Sequence, residues 1–164
     1  MKEKIQQILK EGVLPKDELD NFWDNFFGFL PLFLLMVIIK ENIILFIAIF
    51  LLIGYVFFLK LNEKKIKRID TLLNKYQNNI LIENIAKSKK WTIKTIDLEG
   101  YYEFYIPIIF GIIGHKLTII STEDKLFFNL RNIGTSKGRV PYMFGIDTIK
   151  EQKIINLFKN NSKT

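Results

Sequence analysis

The sequence predicts a membrane protein of α+β class: a two-helix transmembrane hairpin, a cytoplasmic helical stalk, and a small antiparallel β-rich domain ending in a helix. Three observations predict it. Residues 26–59 carry charge only at Lys40 and Glu41. Residues 60–90 then hold nine Lys/Arg against three acids, Glu63, Asp70 and Glu83. From Trp91 onward the texture is that of short strands separated by turns.

The apolar tract divides at Lys40-Glu41-Asn42. The first run, Phe26–Ile39, gains length if Phe22 and Trp23 join it at a membrane interface, where aromatic rings are favoured. The second, Ile43–Leu59, covers ~25 Å at ~1.5 Å per residue, slightly short of a ~30 Å hydrocarbon core. Lys60, by its snorkelling stem, and Leu61 supply part of the difference. One unbroken helix would run ~51 Å and bury two charges, each costing about 2.5–3.5 kcal/mol at the bilayer centre. A hairpin places all three polar residues at a surface. A buried hairpin of a soluble protein and a cleaved signal peptide are the alternatives. The first lacks enough amphipathic partner helices. The second is opposed by Asp17, Glu18, Asp20 and Asp24 ahead of the apolar run.

Orientation follows from the cations. Lys2, Lys4, Lys10 and Lys16 precede the first run, Lys60, Lys64, Lys65, Lys67, Arg68 and Lys75 follow the second, and only Lys40 stands between them. The positive-inside rule puts both termini in the cytoplasm, at the cell (inner) membrane of a bacterium. Phe22, Trp23, Lys60, Lys64, Lys65, Lys67 and Arg68 are therefore expected at the membrane interface, with the lipid bilayer as a partner. The net charge of +7 is explained by this topology, so nucleic acid is not expected.

Four segments are expected. Residues 1–21 form a cytoplasmic or interfacial amphipathic segment: Ile5, Ile8 and Leu9 share a helical face that Gly12 ends. Residues 22–61 are the hairpin. Residues 62–90 form the stalk, because Ile66, Ile69, Leu73, Tyr76 and Ile80 are spaced 3, 4, 3, 4 like a coiled-coil seam. That seam suits self-association or packing on the domain of the same chain. Residues 91–164 form the β-rich domain, with strands at Trp91–Ile96, Tyr101–Ile106, Lys116–Ser121, Lys125–Leu130 and Arg139–Phe144. A terminal helix starts from Asp147 as cap and buries Ile149, Ile154, Leu157 and Phe158. The apolar stretch Ile106–Gly114 reads as a buried strand bent at Gly111, or as a loop dipping into the near leaflet.

Chemical constellations are scarce. The chain has no cysteine, which removes disulfides, thiolate metal sites and Cys nucleophiles. His115 is the sole histidine and reads as structural or surface-exposed. Arg131, Lys137 and Arg139 share a Gly-, Ser- and Thr-containing turn that could bind an anion in a backbone nest. Asp97, Glu99 and Glu103 would share a face only if Gly100 did not interrupt them. No catalytic set, metal site or cofactor is expected.

In layout the chain resembles bacterial proteins with a two-span anchor and a small pleckstrin-homology-like β domain ending in a helix. It also resembles two-span β-rich effectors of antiphage systems. The first resemblance implies a non-enzymatic binding or assembly module for a membrane protein complex. The second implies a ligand-gated membrane effector whose cytoplasmic part senses a nucleotide or other anion.

Overall fold

A computed structural model describes residues 2–16, 22–97, 100–107, 114–133 and 146–162. Within these, five helices accompany a five-stranded antiparallel sheet, as the α+β class requires. The expected strand Arg139–Phe144 and the core of the Ile106–Gly114 stretch lie outside the described residues.

Helix α1 is Lys2–Glu11, and Gly12 ends it at φ +67°, a left-handed backbone that glycine adopts without cost. The apolar pair follows as α2 (Phe22–Ile38) and α3 (Ile43–Asn62). Asn42 caps α3, its side-chain oxygen accepting from the Leu45 N–H at 3.2 Å. Phe29 of α2 meets Phe57 of α3 with ring centroids 6.3 Å apart. Those residues lie far from the Lys40 turn on both sides, so the two helices run antiparallel as a hairpin. Of the two, α3 is long and apolar enough to cross a membrane, and 6% of its apolar window is buried in the protein. The apolar part of α2, Phe29–Ile38, is shorter.

The expected stalk is corrected. α3 stops at Asn62, and Lys67–Asp70 forms strand β1. Its burial has period two: Ile69 is buried, whereas Arg68 and Asp70 are exposed. The 3,4 spacing of Ile66, Ile69 and Leu73 arises where a strand is followed by a turn, and is not a coiled-coil seam. Only α4 (Lys75–Ser88) is helical, opened by a capping box between Asn74 and Gln77. Ile82, Ile85 and Ala86 bury one of its faces, while Tyr76 and Ile80 point outward.

Strands β2 (Thr92–Asp97), β3 (Tyr101–Ile106), β4 (His115–Thr122) and β5 (Lys125–Asn132) complete the sheet in the order β1-β5-β4-β3-β2. Their limits match the four expected strands within two residues. Glu123 and Asp124 make the β4–β5 turn, with Asp124 at φ +58°. Glu123 Oε2 also accepts from the Lys75 N–H at 3.1 Å, which anchors the start of α4. Asn78 adds a buried clasp, donating to the carbonyls of Leu73 and Thr122 and accepting from the Thr71 hydroxyl.

Alternation along the strands sorts the side chains onto two faces. On one lie Ile69, Tyr102, Phe104, Leu117, Ile119, Leu126, Phe128 and Leu130, covered by α4 and by α5 (Ile146–Asn161). Phe158 of α5 is fully buried there, 4.9 Å from Phe128 and 6.5 Å from Trp91 by ring centroids. The opposite face presents Tyr101, Ile120 and Phe127, on which Ile5 and Ile8 of α1 pack. Thus α1 covers the second face of the sheet. The buried stripe of α5 also differs from expectation. Ile149 is exposed, and Asp147 and Glu151 take the sheet-facing places two turns and one turn before Ile154 and Ile155.

Candidate functional site

Two places combine buried polar groups with geometry that the fold imposes: the junction between α3 and the sheet, and the start of α5.

At the junction, the chain entering the hairpin is bonded to the chain leaving it. The Leu14 N–H donates to the Lys64 carbonyl at 2.9 Å, and the Ile66 N–H donates to the Gly12 carbonyl at 3.0 Å. Val13 and Lys65 form an antiparallel bridge between them. The hairpin is therefore a closed excursion whose two ends meet. Asn129 of β5 ties this base to the sheet, its amide donating to the Glu63 carbonyl at 2.8 Å and the Lys65 carbonyl at 3.0 Å. β1 reaches only as far as Phe128 along β5, so the edge from Asn129 onward has no strand partner among the described residues. Glu151 closes part of that gap: its Oε1 accepts from the Leu130 N–H at 3.0 Å, and its Oε2 pairs with Lys67 at 2.7 Å. Burial nevertheless raises the Glu151 carboxyl above its ordinary range, since the desolvation cost outweighs the help from Lys67 and the backbone donor.

Around this edge lies a cleft of about 370 Å³ between the last turns of α3, the end of β5 and the first turns of α5. Its lining mixes apolar Phe58, Leu59 and Leu130 with polar Glu63, Asn129 and Glu151.

At the start of α5, His115 Nε2 is hydrogen-bonded to Asp147 Oδ1, both side chains being almost fully buried. Lys150 Nζ lies 3.2 Å from His115 Nδ1. An ammonium has no lone pair to accept with, so Nδ1 accepts and the imidazole proton sits on Nε2, donated to Asp147. Both ring nitrogens are engaged by the protein. This leaves no free nitrogen for a substrate proton and fastens α5 to β4. Burial holds the Lys150 ammonium below the ordinary lysine range, partly offset by Asp147. A glycine stands at 114, where any Cβ would collide with the Tyr105 ring.

On the opposite face, Tyr101 Oη donates to Glu103 Oε1 at 2.7 Å, and Lys116 Nζ reaches the same oxygen at 3.1 Å. Burial by itself would raise the Glu103 carboxyl, but the Tyr101 hydroxyl and the Lys116 charge hold it below the ordinary range. Burial raises the Tyr101 phenol, and Glu103 raises it further. The expected carboxylate set does not assemble here: Glu103 pairs with a lysine and a tyrosine, while Glu99 and the Asp97 side chain lie outside the described residues.

The residues expected to bind an anion are only partly placed. Arg131 is 3% exposed within β5, on the face that carries Asn129. Lys137 and Arg139 lie outside the described residues. The expected interfacial cations are largely committed within the protein. Lys60 pairs with Glu63 at 2.5 Å, Lys67 with Glu151, and Arg68 with Asp70 at 2.7 Å. The Lys65 side chain is exposed. Phe22 and Trp23 begin α2, and their side chains lie outside the described residues.

Sequence reasoning passed over the His115–Asp147–Lys150 cluster and the Asn129 clasp. The cluster joins residues 32 or more positions apart, and Asp147 reads as a helix cap. No local spacing signals either one. Among the described residues no group of His, Asp and Glu side chains has the arrangement to hold a metal ion.

Compared with known protein families, with curated proteins and with solved structures, the chain matches none.

Proposed function

We propose that this protein is an integral membrane component of the bacterial inner membrane. The α2–α3 hairpin crosses the bilayer twice, with both termini in the cytoplasm. The sheet domain is held at the cytoplasmic surface as a non-enzymatic binding or assembly module for a membrane protein complex. The observation that carries this reading is the closed base of the hairpin. Residues 12–14 are hydrogen-bonded to residues 64–66, and Asn129 fastens that base to β5. A hairpin that leaves and returns at one point supports two crossings with both ends on one side. α3 supplies a span of adequate length, and α2 completes its own with Phe22 and Trp23 near the interface. The cations flanking the base agree with a cytoplasmic location.

The domain is also fixed in place. A strand begins five residues after α3 ends, so little slack separates the bilayer from the sheet. Such a module presents a defined surface at a set height. The outward-facing Tyr76 and Ile80 of α4, with Leu72 before it, are exposed apolar groups available to a second subunit. A ligand-gated role would depend on the Arg131, Lys137 and Arg139 set, of which the one described member is buried in the sheet.

Purification from native membranes in mild detergent tests the proposal. The expected result is co-elution with a stoichiometric membrane protein, released when Tyr76 and Ile80 are both changed to Lys. A solitary, monodisperse monomer from native membranes would overturn it.

A further inference from the structure

Strand direction and the exit of α3 point one end of the sheet toward the bilayer. The carbonyls of Glu63 and Lys65 meet Asn129, whereas Phe58 and Leu59, one turn earlier in α3, line the cleft with Leu130, Asp147 and Thr148. Traced back toward Asn42, α3 therefore leaves the sheet past the end of β5 and the start of α5. Register carries that end across the sheet: Asn132 of β5 lies opposite His115 of β4, His115 opposite Ile106 of β3, and Tyr105 opposite Thr92 at the start of β2. α4 finishes at the same end. Its first residue, Lys75, is bonded to Glu123 in the far β4–β5 turn. At ~1.5 Å per residue its 14 residues bring the chain about 21 Å back to Trp91, directly before β2.

This end gathers cations. Lys89, Lys90 and Lys94 are exposed, and none has an ion-pair partner among the described residues. Lys90 holds φ +54°, the left-handed position at which a helix end usually carries glycine, so a cation stands there against the backbone preference. Ile93, 46% exposed, and the exposed Pro107 stand among them. The acids nearest this end are matched, Glu103 by Lys116 and Asp147 by His115. Beside α3, by contrast, Lys60 and Lys67 are paired with Glu63 and Glu151. The unmatched charge thus lies three strands to the side of β5, ~14 Å at the usual strand spacing. We propose that this end of the domain is a second membrane contact, in which Lys89, Lys90 and Lys94 dock on anionic phospholipid of the cytoplasmic leaflet. Ile93 and Pro107 then meet the headgroup layer. The hairpin holds one side of the sheet to the bilayer, and lipid charge holds the other.

The proposal rests on the membrane reading above, to which it adds a lipid class and an orientation, and the experiment keeps the two separate. The chain has no cysteine, so one introduced thiol takes a fluorophore uniquely. Thr92→Cys puts it among the lysines, and Leu72→Cys, at an exposed position before α4, puts it at the far end. Each full chain is reconstituted in nanodiscs of phosphatidylcholine, with and without phosphatidylglycerol, that carry a headgroup-bound quencher. The label at 92 is expected to be quenched in the phosphatidylglycerol discs and released by high salt, and the label at 72 to stay bright in both. Changing Lys89, Lys90 and Lys94 together to Gln is expected to lower the ratio of docked to undocked domain about a hundredfold, roughly fivefold per lysine, with the thermal melt unchanged. Equal quenching at the two positions overturns the orientation and the proposal with it. Quenching at 92 that ignores both phosphatidylglycerol and the three lysines overturns the lipid contact. Extraction of the chain from native membranes by alkaline carbonate breaks the membrane reading itself, and the docking falls with it.

Discussion

The hairpin and the sheet domain are equally apolar in places but solve opposite problems. In α3, Ile44, Phe50, Leu51 and Phe58 are each at least 60% exposed, and no layer of the protein covers them. In the sheet, Leu117, Ile119, Leu126 and Phe128 are sealed between helices. The domain encloses its apolar side chains, whereas α3, long and apolar enough to cross a membrane, carries most of its own on the surface. The two meet over a few residues, where backbone pairing and one asparagine do the fastening.

Substitutions that exchange the two situations break the comparison most sharply. Phe158→Ala removes the ring that packs on Phe128 and Trp91, and it is expected to cost about 3–5 kcal/mol, seen as a lowered melting temperature of the domain with membrane association retained. Leu51→Lys, at the middle of the apolar run of α3 and exposed, is expected to do the reverse. At about 2.5–3.5 kcal/mol for a charge at the bilayer centre, it lowers resistance to carbonate extraction and leaves the domain folded. Ile149→Lys, at an exposed position of α5, serves as its control, with an effect within about 0.5 kcal/mol.

Two smaller effects sharpen the contact between the regions. Asn129→Ala deletes both donors to the hairpin base and leaves the carbonyls of Glu63 and Lys65 short of partners. A loss of about 1–3 kcal/mol is expected, read as faster hydrogen exchange at residues 12–14 and 64–66 before the rest of the sheet. Glu151 gives the smallest signal, a dependence on pH. Its carboxyl is raised in the fold, so the folded state holds the proton more tightly than the unfolded chain. Its contribution is full below the ordinary carboxylate range and is lost as pH rises through the raised value. Glu103 is depressed, so its contribution is present above the ordinary range and is lost as pH falls through the lowered value. Glu151→Gln should therefore flatten the loss on raising pH, and Glu103→Gln the loss on acidification, both measured as melting temperature against pH between about 3 and 7.

The strands were legible because alternation and turn chemistry are local. Tyr101–Ile106 alternates across a sheet with two covered faces, Gly100 at φ +92° supplies the turn before it, and Glu123-Asp124 supplies the next. The start of α3 was legible for the same reason, since Asn42 is a capping residue directly before an unbroken apolar run. β1 was not. Four residues with one buried apolar side chain carry too little period to compete with a 3,4 spacing that continues into a true helix. α5 was readable as a helix but not as a face, because its first two sheet-facing turns carry Asp147 and Glu151, which hydrophobic periodicity assigns to solvent. Of the candidate site, His115 was visible as a lone histidine and the cations as a cluster, but their partners were not.

By itself the sequence determined the apolar hairpin, the β texture after it, the sole histidine and the excess of cations beside the second apolar run. These follow from composition and from periods shorter than ten residues. Only the tertiary structure decided that Lys67–Asp70 joins the sheet, that α1 covers its second face, that Asp147 holds His115, and that Asn129 clasps the hairpin. Each of these brings together residues separated by tens of positions, and the free energy of such a contact is realised only when the whole sheet has set its register.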